Sequence, residues 1–405
     1  MKDYSRQSLA LHESLRGKIS VELKTELNTK EDMSLCYSPG VAEPCMQIAN
    51  DPEKAWTLTC KGNMVAVVSD GSAVLGLGNI GPAAAMPVME GKAMLFKKFG
   101  GVDAFPICLD TQDTEEIIQT VKLLAPTFGG INLEDISSPR CFEIEERLQD
   151  LGIPVFHDDQ HGTAIVTLAG LINACKLLDK NIGELRVVIN GAGAAGVAIA
   201  KLLIGKDQDP EIFTPVKEMI ICDTKGIIHR DRKDLNSLKT SLLTFSNPHN
   251  LKGTVRDAIL DADVFIGVSS ENILIAEDIR KMRANPIIFA MANPNPEIDP
   301  KFAYEGGAGV VGTGRSDLPN QVNNVLAFPG IFKGALEVRA TRITSRMKLA
   351  AAYAIAEAVG EISRDHIIPS SLDFEIADKV ADAVKAAWLE EVEINRLMEV
   401  VNHPL

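Results

Sequence analysis

Two pairs of adjacent carboxylates give this chain its most suggestive chemistry: Glu134-Asp135 in "NLEDI" and Asp158-Asp159 in "FHDDQHGTA". Neighbouring carboxylates repel each other, so such pairs are costly unless exposed, protonated or gathered by a cation. They are hard oxygen donors of the kind that Mg²⁺ and Mn²⁺ take. A solvated turn is the alternative for either pair taken alone. His157 and His161 stand at H-x-x-x-H spacing, which suits two zinc ligands on one helix. No Cys or third His stands beside them and the segment reads as a strand end, which disfavours zinc. Lys92, in "EGKAMLFKKFGG", sits among small and apolar residues and is the lysine whose pKa burial would lower. Tyr37 precedes a Ser-Pro-Gly turn in "SLCYSPGVAEPC", where a packed core tyrosine is the alternative reading.

The elements that must carry these groups are legible as apolar runs. "VAVVSD", "AFPICLD", "GGINLED" and "IPVFHDD" read as short strands, each closed by an acid. Buried parallel strands are continuous apolar runs, and functional side chains in open α/β sheets gather at their carboxyl ends. A second succession follows in "LRVVING", "EMIICDT", "DADVFIGVS", "NPIIFAMANP" and "AGVVGTG", with helical stretches between some of them. That pattern predicts a doubly wound parallel sheet. "YSRQSLALHESLRGKISVEL", "HGTAIVTLAGLINACKLLD" and the chain beyond "NNVLAFPGIFKGAL" read as helical.

Two stretches have G-x-G-x-x-G spacing. Gly76, Gly78 and Gly81 lie in "VLGLGNIGPAAAMPV", and Gly191, Gly193 and Gly196 in "VVINGAGAAGVAIAKLL". Such a motif binds a dinucleotide only between a strand and a helix, with an acid closing the second strand. The downstream copy has all three, with Gly191, Gly193, Ala194, Ala195 and Gly196 facing the pyrophosphate and Asp223 the adenosine ribose. In the upstream copy, Pro87 is expected to break the following helix. That copy reads better as tight turns beside another ligand.

The 405 residues are enough for two or three domains. A net charge of −14 argues against a sequence-independent grip on nucleic acid. The N-terminus has no apolar leader region and no apolar run reaches a membrane span, so the expected location is cytoplasmic with no membrane partner. Seven cysteines without C-x-x-C spacing, mostly in apolar contexts, imply reduced thiols.

Taken together, the chain resembles the malic enzymes. The matching segments are "YSPGVAEPC", "DGSAVLGLGNIG", "PVMEGKAMLFKKF", "NLEDI", "FHDDQHGTA", "VINGAGAAG", "IIFAMANPNPE" and "GRSDLPNQVNNVLAFPGIF", in the family's order. The resemblance implies an α/β fold: an N-terminal catalytic domain (1–160), a Rossmann-like dinucleotide-binding domain (161–335) and a C-terminal helical segment (336–405). It implies oxidative decarboxylation of L-malate to pyruvate and CO₂ with reduction of NAD or NADP and a requirement for Mg²⁺ or Mn²⁺. Malolactic conversion, oxaloacetate decarboxylation and a non-catalytic cofactor-binding regulator are the alternatives.

By the same resemblance, Glu134, Asp135 and Asp159 are the metal ligands and Lys92 is the general base, with Asp158 its charged neighbour. Tyr37 is the general acid, and Asn293, Asn323 and Asn324 hydrogen-bond the substrate carboxylate or the nicotinamide side. A homodimer is the expected assembly. The chain departs from larger members at Ala73, where they carry an Arg that clamps a substrate carboxylate. Lys97 and Lys98 are candidates to replace it. Asp223 favours NAD, while Lys225, Arg230 and Arg232 stand ready for a 2′-phosphate.

Overall fold

The structure is a computed structural model and describes residues 4–74, 76–206, 208, 210 and 212–402. Leu75 of the upstream glycine stretch and residues 1–3 and 403–405 of the terminal segments lie outside the described residues. Strands β1 (Met64–Ser69), β2 (Asp103–Cys108), β3 (Gly130–Leu133) and β4 (Val155–His157) form a parallel sheet in the order β2-β1-β3-β4. In the register of β3 and β4, Leu133 is opposite His157. The next residues are the two carboxylate pairs, so parallel pairing alone delivers them to one rim.

The second sheet contains β5 (Arg186–Asn190), β6 (Glu218–Asp223), β7 (Gly226–Ile227), β8 (Val264–Gly267), β9 (Ile287–Ala290) and β10 (Val310–Thr313). Its order is β10-β9-β8-β5-β6-β7, parallel except for the β6/β7 pair. Strand order reverses at β5, which opens a crevice at its carboxyl end.

Helices α1 (Tyr4–Leu15), α2 (Lys30–Cys36), α3 (Ala42–Asn50) and α4 (Ala55–Leu58) bury no residue. The helical reading of "YSRQSLALHESLRGKISVEL" is too long, because α1 ends at Leu15. Arg16 (φ 56°) and Gly17 (φ 104°) turn the chain out of the helix after Leu15. Next come α5 (Pro82–Gly100), α6 (Thr114–Leu124), α7 (Arg140–Glu146), α8 (Asp158–Leu178) and α9 (Ala194–Leu203). Pro87 does not break α5, contrary to expectation. A proline removes one helical hydrogen bond, and here the helix is held by a face of Ala85, Met89, Ala93 and Phe96 against the core.

The short helices α10 (Ser237–Leu242), α11 (Val255–Ala258), α12 (Ala276–Arg280) and α13 (Pro300–Glu305) accompany the second sheet. Then α14 (Phe328–Glu337), α15 (Ser345–Glu357) and α16 (Ile376–Asn402) close the fold. The C-terminal helix α16 packs on α14 and α15 of its own chain. Gly330 and Gly334 permit this, because a Cβ on Gly330 would lie 2.6 Å from the Ala377 carbonyl.

Helix α8 corrects two expectations. It begins at Asp158, directly after β4, so the second acidic pair lies in its first turn rather than at a strand end. It is also long and apolar enough to cross a membrane by length and composition. Most of it is buried within the fold, packed on α9 and α15, as a core helix. All seven cysteines are free, but Cys36, Cys45 and Cys60 are exposed rather than packed in apolar surroundings.

Candidate active site

Lys92 lies on the buried face of α5, and the packing of Phe96 on Phe328 (centroids 4.7 Å apart) sets α5 against the start of α14. The ammonium ends 2.9 Å from Glu134 Oε1, 2.5 Å from Asp158 Oδ2 and 4.2 Å from the Phe328 ring centroid. Asn324 Nδ2 donates to the same Asp158 oxygen at 2.5 Å. Asn132 Nδ2 donates to Glu134 Oε2 at 2.8 Å. Asp135 takes a left-handed backbone conformation (φ 54°), uncommon outside glycine. Its N–H donates to Asp159 Oδ2 at 2.8 Å. One carboxylate oxygen from each of Glu134, Asp135 and Asp159 lies within 4.8 Å of the others. The Asp159 side chain is 33% exposed, leaving the cluster an open side.

The cluster is electrostatically loaded. Burial, with the charge of Asp159 added and Lys92 opposing, pushes Glu134 up to about 7. Burial likewise lifts Asp158 to about 7 and Asp159 to about 6, against the pull of Lys92. For Lys92, burial disfavours the charge, but Asp158, Glu134 and Asp159 together outweigh it and hold the ammonium above the ordinary lysine value. This reverses the expectation of a lowered pKa. Burial was legible in the sequence, whereas the carboxylates come from other elements.

The histidines take structural places. His157 is fully buried and burial lowers its pKa to about 4, so its ring is neutral. His161 Nε2 lies 2.9 Å from the Glu145 carboxylate, which also accepts the His157 N–H at 3.1 Å. Burial of Glu145 is more than offset by His161 and Lys348, leaving its pKa at about 2. Neither histidine joins a three-ligand group among the described residues, which removes support for zinc. Glu145 was not foreseen, since in sequence it is one of three acids on the short helix α7.

The downstream glycines lie in the turn between β5 and α9. Gly191 has φ 131°, and a Cβ there would sit 2.8 Å from Val268 Cγ2. A Cβ on Gly196 would overlap the Gly191 carbonyl, whereas nothing lies within 4 Å of a Cβ on Gly193. Helix α9 has no side-chain cap, so the amides around Ala194 and Ala195 stay available beside that space. Open space, free N–H groups and the positive helix end fit a pyrophosphate. The three carboxylates fit a hard divalent cation. Gly76, Gly78 and Gly81 all have positive φ and make tight turns leading into α5. A Cβ on Gly76 would meet the Asn293 carbonyl at 3.9 Å, so this loop faces the end of β9.

Other expected residues are placed less simply. Asp223 closes β6 but is not an open acceptor. Arg232 grips it at 2.7 and 2.9 Å, Lys239 Nζ lies 2.6 Å away, and the Lys225 N–H donates at 2.9 Å. Asn323 accepts the Val325 N–H at 3.0 Å, a capping role. Tyr37 is 70% exposed and its hydroxyl makes no hydrogen bond among the described residues. Lys97 pairs with Asp103 at 2.7 Å and Lys98 lies over Phe374.

Comparison with known proteins decides the relationship. Residues 160–388 match the model described as "Malic enzyme, NAD binding domain", and residues 16–116 and 111–149 match "Malic enzyme, N-terminal domain". The chain belongs to the malic enzyme family. It is 57% identical over 388 residues to the bifunctional malic/malolactic enzyme of Bacillus subtilis, covering 95% of this chain and 93% of that one. It is 58% identical over 374 residues to the NAD-dependent malic enzyme of Geobacillus stearothermophilus, covering 92% and 76%. The crystal structure of the NAD-dependent malic enzyme from Thermotoga maritima superposes with a TM-score of 0.89 at 51% identity, covering 93% of this chain and 98% of that one. The resemblance carried by the motifs, the α/β fold class and the assignment as an enzyme therefore hold.

Proposed function

We propose that this malic enzyme family member oxidatively decarboxylates L-malate to pyruvate and CO₂ while reducing NAD⁺ or NADP⁺. The observation that carries the reading is Lys92 Nζ held by Glu134 and Asp158, beside three clustered carboxylates. Residues 1–160 supply this rim, 161–335 the dinucleotide cradle, and 336–405 the helices that buttress both.

Glu134, Asp135 and Asp159 would hold Mg²⁺ or Mn²⁺. When bound, the cation would supply acidification of the C2 hydroxyl and the nicotinamide an acceptor for the C2 hydride. Lys92, once its own proton has left to solvent, would take the hydroxyl proton, and the Glu134 and Asp158 carboxylates would stabilise the ammonium that results. Asn324 holds Asp158 in place against that ammonium. The carbonyl formed at C2 is the electron sink for loss of CO₂; Tyr37 would then give a proton to C3 and recover one from Lys92. Asn293, at the end of β9, and Asn324 orient the substrate carboxylate and the carboxamide, and Asn323 shapes the turn beside them.

NAD⁺ is the first choice of cofactor, since Asp223 closes β6 as an acid that repels a 2′-phosphate; NADP⁺ is the alternative, because that charge is countered by Arg232 and Lys239. We also propose a cytoplasmic homodimer. The exposed Leu9, Leu15, Val21, Leu23, Leu35 and Tyr37 of the N-terminal segment support a second copy covering this surface.

The test is a product balance with malate, Mn²⁺ and NAD⁺ or NADP⁺. Equimolar pyruvate and reduced dinucleotide support the proposal, and no malate-dependent reduction of either cofactor contradicts it. Lactate without net reduction supports malolactic conversion, which the name of the Bacillus subtilis relative favours.

A further inference from the structure

Glu297 is a fully buried carboxylate that the chemistry above does not use. Its Oε1 accepts the Ser269 N–H at 3.1 Å and its Oε2 the Ala292 N–H at 3.0 Å. Among the described residues no cation pairs with it, so backbone dipoles alone stabilise the charge. Burial accordingly pushes its pKa up, with the N–H groups of Ala292, Ser269 and Glu297 itself pulling back.

The two N–H groups belong to different loops, one leaving β8 and the other β9. Both lie at the carboxyl end of the sheet, where a doubly wound fold binds its ligand. The loops are laced further by Asn272 N–H to the Pro296 carbonyl (3.0 Å) and Leu274 N–H to the Glu297 carbonyl (3.1 Å). A Cβ on Gly267, the last residue of β8, would run into the Glu297 carboxyl, so this glycine makes room for the acid.

Each loop then reaches the cofactor cradle. Val268, just before Ser269, donates its N–H to the Asn190 carbonyl at 2.9 Å and packs against Gly191. Ala292 leads into Asn293, whose carbonyl faces Gly76 of the substrate-side turn. Glu297 thus fixes, from below, the residue against the first cradle glycine and the residue facing the metal-bearing half.

We propose that Glu297 is a positioning residue for the dinucleotide, its charge gripping both loops at once so that the cradle is formed before the cofactor arrives. The proposal rests on dinucleotide binding in this cradle. A carboxylate can serve two donors with two equal oxygens. Glutamine has one acceptor and would turn its NH₂ toward a backbone N–H, so one loop loses its anchor.

The test measures binding rather than turnover, with NAD⁺ titrated by protein fluorescence and Mn²⁺ by calorimetry. Glu297→Gln should raise the NAD⁺ dissociation constant about tenfold or more, the scale of a lost hydrogen bond to a charged acceptor. Mn²⁺ affinity and the circular dichroism spectrum should not change, and Glu297→Asp, which keeps the charge, should recover part of the loss. A folded Glu297→Gln protein with unchanged NAD⁺ affinity overturns the proposal, as does Mn²⁺ affinity falling in step. Wild-type protein that binds neither NAD⁺ nor NADP⁺ overturns the underlying reading and the proposal with it. Should Glu297→Gln fail to fold, amide exchange of the wild type decides. NAD⁺ should slow exchange in 267–274 and 290–297 more than in 130–136, and equal or no protection there overturns the proposal.

Discussion

Asp158 Oδ2 sits 2.5 Å from Lys92 Nζ, joining the first turn of the helix after β4 to the middle of a helix in the same half of the molecule. Asn324, in the turn before α14, closes on the same oxygen. One carboxylate oxygen therefore links Lys92, the proposed general base, to the half that carries the second sheet.

The raised carboxylates should make binding of the proposed metal pH-dependent. Below about pH 6, protons occupy Glu134 and Asp159, whose pKa values are raised to about 7 and 6, and a cation must displace them. Apparent Mn²⁺ affinity should rise steeply between about pH 5.5 and 7.5, by up to about tenfold per proton released per pH unit. Calorimetric titration across that range checks this, and a flat profile contradicts it.

Glu145 should matter to stability rather than chemistry. Its folded pKa, about 2, is below the ordinary 4.5, so its contribution is present above about pH 4.5 and is lost as pH falls through about 2. Glu145→Gln leaves His161 and the His157 N–H with a weaker acceptor and should cost about 3 kcal/mol at pH 7. The gap to wild type should narrow in acid. Urea unfolding of both proteins at pH 7 and pH 3 reads the difference.

Cofactor choice should turn on the cations around Asp223. Lys239→Ala leaves that carboxylate less countered and should weaken NADP⁺ about tenfold while sparing NAD⁺, since only NADP⁺ brings a 2′-phosphate to the site. The ratio of the two dissociation constants is the measurement, and an unchanged ratio would locate the selection elsewhere.

Much of this site was legible because chemistry and periodicity coincide. Apolar runs ending in acids marked β1 to β4, and parallel pairing of β3 with β4 brought the two acidic pairs together. The start of α8 was not legible, since β4 runs into Asp158 with no Gly, Pro or polar turn between them. The charge state of Lys92 was misread because Glu134 and Asp158 reach it only through packing of α5 on the sheet. Glu145 left no sequence signal, as its partners are a backbone N–H and a histidine brought in by the fold. Glu297 closes the "IIFAMANPNPE" segment, but its service to the N–H groups of two loops is visible only in the fold. Asp223 matched the expected motif, yet the Arg232 and Lys239 clamp depends on the loop after β7 and on α10.

The central claim is that Lys92 carries the proton chemistry while the dinucleotide is held elsewhere. Lys92→Ala, assayed with malate, Mn²⁺ and NAD⁺ at the reduced-nicotinamide absorbance, tests it most directly when NAD⁺ binding is titrated in the same preparation. The account predicts a loss of turnover of about a thousandfold or more, in the range for a general base, with NAD⁺ affinity unchanged. Turnover near the wild-type rate in that variant would contradict it.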